Sequence, residues 1–289
     1  MSRLYSEWFS AIQRILPQHL LSRGGSFLAE TKIPWIKNML ISLFIRVYDI
    51  NLDEAISASP QSYINFNAFF TRELKKDVRP IDQSNGSIVC PADGIISQLG
   101  EIQQGNIFQA KGKYFSSSAL LGANDKYNKC FLNGEFITIY LSPKDYHRVH
   151  MPIDGELLLT RYIPGKLFSV NLATTRHIDG LFSRNERLVC IFNTPAGLCG
   201  IVLVGAMMVA GIESVWRGHY HPQEPATYET NKKSIILKKG EEMGRFKFGS
   251  TVIVMFEPNK TTWSKKYQSG LATRLGELMT THGPRRQIP

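Results

Sequence analysis

The stretch GRFKFGSTVIVMF, residues 244–256, carries the clearest fold signal in the chain. From Val252 to Phe256 the residues are apolar at both parities, which predicts a β-strand buried on both faces. Gly249 and Ser250 stand at its mouth. A Gly-Ser pair there is either an ordinary turn or a place where the backbone itself reacts. The stretch alone leaves both readings open.

Working outward, the chain from residue 88 onward reads mainly as β. CPADGIISQLGEI, NIFQAKGKYFS, FITIYLS, DGELLLTRYIPG, RLVCIFN and GIVLVGAMMVAGIESVW are short apolar or alternating runs broken by Gly, Asn and Pro. The Gly and Ala content of Val202 to Gly211 favours close backbone approach in a packed sheet over a long helix. CPADGIIS and MPIDGELL share a P-x-D-G core, a faint repeat of strand, turn and strand. The final segment, SGLATRLGELMTTHG, reads as a short helix.

The first fifty or so residues differ in character. SEWFSAIQRILPQHLL places Trp8, Phe9, Ile12, Ile15 and Leu16 at helical spacing. In IPWIKNMLISLFIRVYDI only eight residues separate Lys37 from Arg46, against the roughly twenty apolar residues needed to cross a bilayer. Two amphipathic helices lying on a membrane fit this pattern, and helices packed on the domain body fit it too. The expected fold class is α+β, a β-rich domain with N-terminal amphipathic helices, divided as 1–60 and 61–289.

The chain has 289 residues, normal hydrophobic content and a net charge of +10. Its basic residues come as scattered pairs such as Lys75-Lys76 and Lys265-Lys266, without a run interleaved with stacking aromatics, so nucleic acid is not expected as a partner. An anionic membrane attracts the same charge, and so does no partner at all if the surface is merely soluble. The four cysteines, 90, 130, 190 and 199, form no C-x-x-C pair and read as reduced structural thiols of an intracellular protein. No secretory leader is expected, because the first apolar run carries Glu7 and Arg14 with no cleavage site after it.

Two further stretches bear on chemistry. Asp93 lies in PADG, where Asp-Gly also serves as a common turn. LSPKDYHRVHMP suggests a helical turn begun by Ser142, Pro143 and Asp145 and limited by Pro152. His147 and His150 share a face if that turn is helical and diverge if it is extended. A zinc site using both needs a third ligand, and His177, His219 and His221 have no recognised spacing. Alternatively Asp93, His150 and Ser250 form a carboxylate–imidazole–hydroxyl triad, since chain order in such triads is free.

PADGIISQLG, YLSPKDYHRVHMP, YIPGKLFSVN, RNERLVCIFN and GRFKFGSTVIVMF, with NFNAFFTREL ahead of them, together resemble the bacterial phosphatidylserine decarboxylase family. The usual processing tetrapeptide Leu-Gly-Ser-Thr here reads Phe248-Gly249-Ser250-Thr251. The resemblance implies hybrid-barrel-like sheets and a precursor that cuts itself between Gly249 and Ser250, into chains 1–249 and 250–289. It gives Ser250 the attack on the Gly249 carbonyl, His150 the hydroxyl proton, and Asp93 the support of the imidazole. Ser250 would become a pyruvoyl group that forms a Schiff base with phosphatidylserine and releases CO2 to leave phosphatidylethanolamine. No metal and no pyridoxal phosphate are expected. His147 is the expected proton donor to the carbanion, with a swap of the two histidines left open.

The same resemblance makes the protein peripheral on the cytoplasmic face of the cell membrane and suggests a homodimer. Lys166 and Lys247 are candidates for the lipid phosphate, and His219 and His221 take no role. The rivals are a non-catalytic β-rich carrier module, which lacks a lysine at a hairpin tip, and a zinc hydrolase. A serine hydrolase would usually show a G-x-S-x-G elbow, which Ser250 lacks.

Overall fold

The computed structural model describes residues 13, 18–123, 125–206, 211–220, 227–229, 234–247, 250–264 and 267–282. Trp8, Phe9, Ile12, Ile15, Leu16, His221, Phe248, Gly249 and the Lys265-Lys266 pair lie outside the described residues.

The strand Ser250–Phe256 is the spine of a nine-stranded antiparallel sheet. It pairs residue for residue with Gly205–Cys199 on one side and Leu141–Glu135 on the other, and all seven of its residues are buried. Alternation then sends its side chains into two different cores. Val252, Val254 and Phe256 pack with Leu203, Ile139 and Leu188 on one face. Ile253 and Met255 pack with Phe136 and Val202 on the other. Each such side chain contributes about 1.5–3 kcal/mol by leaving water, so a one-residue slip of this strand would misplace both sets.

Beyond these neighbours the sheet continues through Arg187–Thr194 to Gly155–Ile163, and in the other direction through Gly94–Glu101 to Ala272–Thr273. Thr227–Glu229 and Ile236–Leu237 both pair with Gly155–Ile163. Among the described residues the sheet is open. The α+β expectation is met, and the described strands do not close into a barrel. A four-stranded sheet (Gly218–His219, Ile212–Ser214, Glu242–Phe246, Arg148–His150) covers the Val252 face through Ile212, Met243, Phe246 and Val149.

Two local expectations fail. The C-terminal segment is not a helix: Leu278–His282 is a strand held between Ser87–Val89 and Thr261–Trp263, and Ala272–Thr273 pairs with Gly94–Glu101. Gly276, at φ 87°, turns the chain between them, a conformation that ends any helical run. Likewise Ser142 to Asp145 is a turn that runs into the strand Arg148–His150 rather than a helix. The two histidines therefore diverge.

The P-x-D-G repeat is real in three dimensions. Val89 N–H donates to the Pro152 carbonyl (2.9 Å) and His150 N–H donates to the Pro91 carbonyl (2.8 Å), a reciprocal exchange between the two units. Cys90 pairs through its backbone with Gly276 and Glu277, and Met151 does the same with Gly240 and Glu241. Asp93 Oδ1 accepts from Leu275 N–H, and Asp154 Oδ1 accepts from Lys239 N–H. The units are thus related as a pseudo-twofold pair, each opening a strand of the large sheet.

At the N-terminus, Gln18–Ala29 and Pro34–Tyr48 are helices. Pro34 takes the first turn, where its missing N–H costs nothing, and Asp49 ends the helix in the left-handed region. Ile41 and Phe44 pack on the short helix Phe66–Phe70. The outward side is apolar as well: Trp35, Met39, Leu43 and Val47 are all more than half exposed. The second helix is therefore apolar on two sides rather than simply amphipathic, and its buried Lys37 is held by the Asn38 side chain and the Gln61 carbonyl. Among the described residues no helix is long and apolar enough to cross a membrane.

Candidate active site

Ser250 begins the central strand with no solvent exposure, and its Oγ has no hydrogen-bond partner among the described residues. Parity puts its side chain on the face of Val252, toward the four-stranded sheet. Gly205, which has no side chain of its own, lies opposite Ser250 in the register. Leu141 faces it from the other side, and the next residue, Ser142, opens the segment that carries both histidines.

His147 is fully buried and stacked on Phe70, with ring centroids 4.0 Å apart. Its Nε2 lies 3.1 Å from the Ser142 carbonyl, which can only accept, so Nε2 carries the proton and Nδ1 is an unpartnered lone pair. Burial first, and the nearby Arg72 charge second, push its pKa down to about 3. As placed here His147 is a neutral imidazole whose Nδ1 can accept a hydrogen bond. Both causes hold the ring in its neutral form, with its one proton on Nε2.

His150 is held differently. Its Nδ1 donates to the Gly240 carbonyl (2.8 Å), leaving Nε2 to accept from the Tyr146 hydroxyl (3.1 Å). Burial holds its pKa below the ordinary imidazole value, partly offset by the Gly240 carbonyl. It is thus a neutral imidazole with its lone pair at Nε2, the state a general base requires.

Asp93 is buried, but not against His150. Arg79 Nε contacts both its oxygens at 3.0 Å and Arg79 Nη2 reaches Oδ2 at 2.7 Å, while Glu54 takes the same Nη2 at 2.7 Å. Asp93 makes no direct hydrogen bond to His150; a multiply bonded guanidinium is the stronger partner for a carboxylate. Asp93 still acts on His150 through space, its charge favouring the protonated ring.

A cavity of about 370 Å³ adjoins these groups, lined by Arg72, Arg79, Asp93, Ser142, Tyr146 and Arg274 among others. Asp49 and Asn51, just past the end of the exposed helix Pro34–Tyr48, line it too. Among the described residues no three His, Cys, Asp or Glu side chains converge as a metal-ligand set. The two lysines proposed for phosphate do not line this cavity: Lys247 pairs with Glu213 at 2.7 Å, and Lys166 is exposed. His219 lies 3.9 Å from the same Glu213.

Sequence reasoning missed Arg72, Arg79, Tyr146 and Glu186. Arg72 lies in the lead-in NFNAFFTREL and Arg79 lies in no motif, and charged residues in such places normally stay in solvent. Glu186 sits opposite Gly205, and its carboxyl lies over the space where a Gly205 side chain would stand. Burial pushes its pKa up to about 7, and the Tyr162 hydroxyl, near but outside hydrogen-bonding geometry, draws it part-way back.

Comparison with known proteins identifies the family. The family model described as phosphatidylserine decarboxylase matches residues 66–281, and a second, described as PSD, matches residues 8–49. The phosphatidylserine decarboxylase proenzyme of Pseudomonas putida (strain W619) is 50% identical over 279 residues, covering 95% of this chain and 97% of its own length. The proenzymes of Ectopseudomonas mendocina and Saccharophagus degradans are each 48% identical, covering 94% of this chain and 96% of their own. With the family model spanning most of its length and relatives this similar end to end, the chain belongs to the phosphatidylserine decarboxylase family.

Proposed function

We propose that this chain is made as a proenzyme, cuts itself between Gly249 and Ser250, and then decarboxylates phosphatidylserine to phosphatidylethanolamine. The observation that carries this reading is Ser250 itself: a fully buried hydroxyl without a partner among the described residues, fixed by strands on both sides. A buried orphan hydroxyl costs about 1–3 kcal/mol, a cost that makes sense at a residue meant to react.

In the cut, Ser250 Oγ attacks the Gly249 carbonyl and its proton passes to His150 Nε2. The amide C–N bond breaks as the ester C–O bond forms, and the freed amine takes the proton back. Loss of the Ser250 Cα proton and departure of the Gly249 carboxylate then divide the chain. Water entering and ammonia leaving complete a pyruvoyl group at position 250. The site fits that group, since Ser250 Oγ is unpartnered among the described residues and Gly205 presents no side chain of its own beside it. Once formed, it supplies an electron sink for the pair left behind by CO2. The chain's own residues hold it on the central strand, and Asp93 supports His150 electrostatically.

The exposed apolar face of Trp35, Met39, Leu43 and Val47 supports a peripheral seat on a membrane, with the helix ending at the cavity rim. The net charge of +10 complements the anionic lipids of the cytoplasmic leaflet.

Intact mass measurement tests the reading. Active protein should be two chains, 1–249 and 250–289, and Ser250→Ala should remain one chain without activity. A single uncut chain with a free Ser250 from active protein would overturn it. On anionic vesicles the wild type should float, whereas Trp35→Ser with Leu43→Ser should not. Unchanged flotation would remove the helix from membrane binding.

A further inference from the structure

The segment NFNAFFTREL resembles the family but was left without a task. In the structure it forms the helix Phe66–Phe70, capped by Asn65, and delivers Arg72 to the wall of the cavity beside Asp93 and Tyr146. Arg72 is 5% exposed. Its Nη2 donates to the Lys144 carbonyl (3.0 Å) and grazes that of Asp145 (3.5 Å), and its guanidinium lies 5.8 Å from the Phe69 ring centre. No carboxylate pairs with it, and its Nε and Nη1 have no hydrogen-bond partner among the described residues.

The cavity does hold acids, but they are committed elsewhere. Asp93 and Glu54 both bind Arg79, and Asp145 accepts from the Ser142 N–H and hydroxyl. Asp49 lines the wall without an ion pair to Arg72. A buried guanidinium with no direct ion pair is a costly arrangement: burial pulls its proton affinity down, and the charges of Asp93 and Asp145 offset this only from a distance. The stacked Phe70–His147 pair ties this segment to the catalytic histidines.

We propose that Arg72 is the anion-binding residue of the lipid headgroup site and takes the phosphodiester of the substrate. The inference rests on the decarboxylase reading above. The headgroup offers two anions, phosphate and carboxylate. Pairing Arg72 with the carboxylate would stabilise a negative charge that the carboxylate must give up as CO2 departs, favouring the ground state over the transition state and so opposing the reaction. Pairing it with phosphate binds ground state and transition state alike, and a guanidinium fork suits phosphate oxygens.

The test uses full-length Ser250→Ala protein, which cannot form its cofactor, so binding is measured apart from turnover. The probes are dihexanoyl phosphatidylserine and dihexanoyl phosphatidylethanolamine below their micellar concentrations, followed by calorimetry. Adding Arg72→Gln should weaken both at least tenfold, because both carry the phosphate. Arg72→Lys should restore part of the loss and guards against a Gln variant that folds poorly. In otherwise wild-type enzyme, Arg72→Lys should raise KM severalfold with a smaller change in kcat. Loss of phosphatidylserine binding alone would assign Arg72 to the carboxylate and overturn the proposal, as would unchanged binding of both lipids. If Ser250→Ala binds neither lipid, the substrate reading itself fails.

Discussion

The two P-x-D-G units share a backbone and differ in everything that touches chemistry. Both exchange N–H and carbonyl groups reciprocally, both lean on a glycine of positive φ, and both use their aspartate Oδ1 to hold a backbone N–H. Yet the Asp93 side chain is 10% exposed beside an arginine and a cavity, whereas that of Asp154 is 46% exposed beside Lys238. Even the equivalent glycine carbonyls diverge: that of Gly276 accepts from Asp82 N–H, and that of Gly240 accepts from the His150 ring. A repeated fold unit supplies geometry twice. Burial and the neighbouring charges decide which copy reacts.

The sharpest way to break this comparison is to remove the charge from each aspartate in turn. Asp93→Asn keeps an Oδ1 acceptor for Leu275 N–H, so the turn should survive. Its loss of charge removes the electrostatic support of His150, and self-cutting should slow by at least ~10²-fold. Gel-resolved cutting of freshly synthesised chain measures this. A wild-type rate in a folded Asp93→Asn protein would mean that His150 works without it.

Much of this was legible in the sequence, and the illegible parts share a cause. Val252 to Phe256 announced a doubly buried strand because apolar residues at both parities have few other uses. Ser250, His150 and Asp93 were singled out by the family resemblance, because spacing alone does not select them. The fold places their segments side by side: the Pro91 carbonyl accepts from His150 N–H, and Leu141, the register partner of Ser250, leads into the histidine segment. The claim of Arg79 on Asp93 was hidden because it links loops that no period connects. Leu271, Leu275, Leu278 and Met279 mimic a helical period, but pairing with Ser87–Val89 and Thr261–Trp263 overrode it. Reciprocal hydrogen bonds between the units are backbone contacts, to which side-chain patterns are blind.

An intermediate effect should come from the two glycines. Alanine at either must hold a left-handed backbone, costing about 1–2 kcal/mol. At Gly276 the new Cβ would also meet the Pro80 carbonyl oxygen at 2.4 Å, and backbone cannot easily retreat. At Gly240 it would meet Ile81 Cγ1 at 2.9 Å, a side chain that can shift. Denaturant midpoints should therefore fall for both variants, and further for Gly276→Ala. Equal losses would mean that the two turns are equally free to relax.

The smallest effect belongs to Asp154→Asn. Its carboxyl is held below the usual aspartate range, first by the Lys239 N–H and then by the Lys238 side chain. A depressed folded-state pKa stabilises above the unfolded value and is lost as pH falls through the folded one. The variant should thus be weaker than wild type at neutral pH by ~0.5 kcal/mol, the scale of an exposed pair, and equal to it in strong acid. Cutting should proceed at the wild-type rate, because no histidine depends on this charge. A large loss of cutting in Asp154→Asn would show that the two units act together in the chemistry, and the asymmetry drawn from burial would fall.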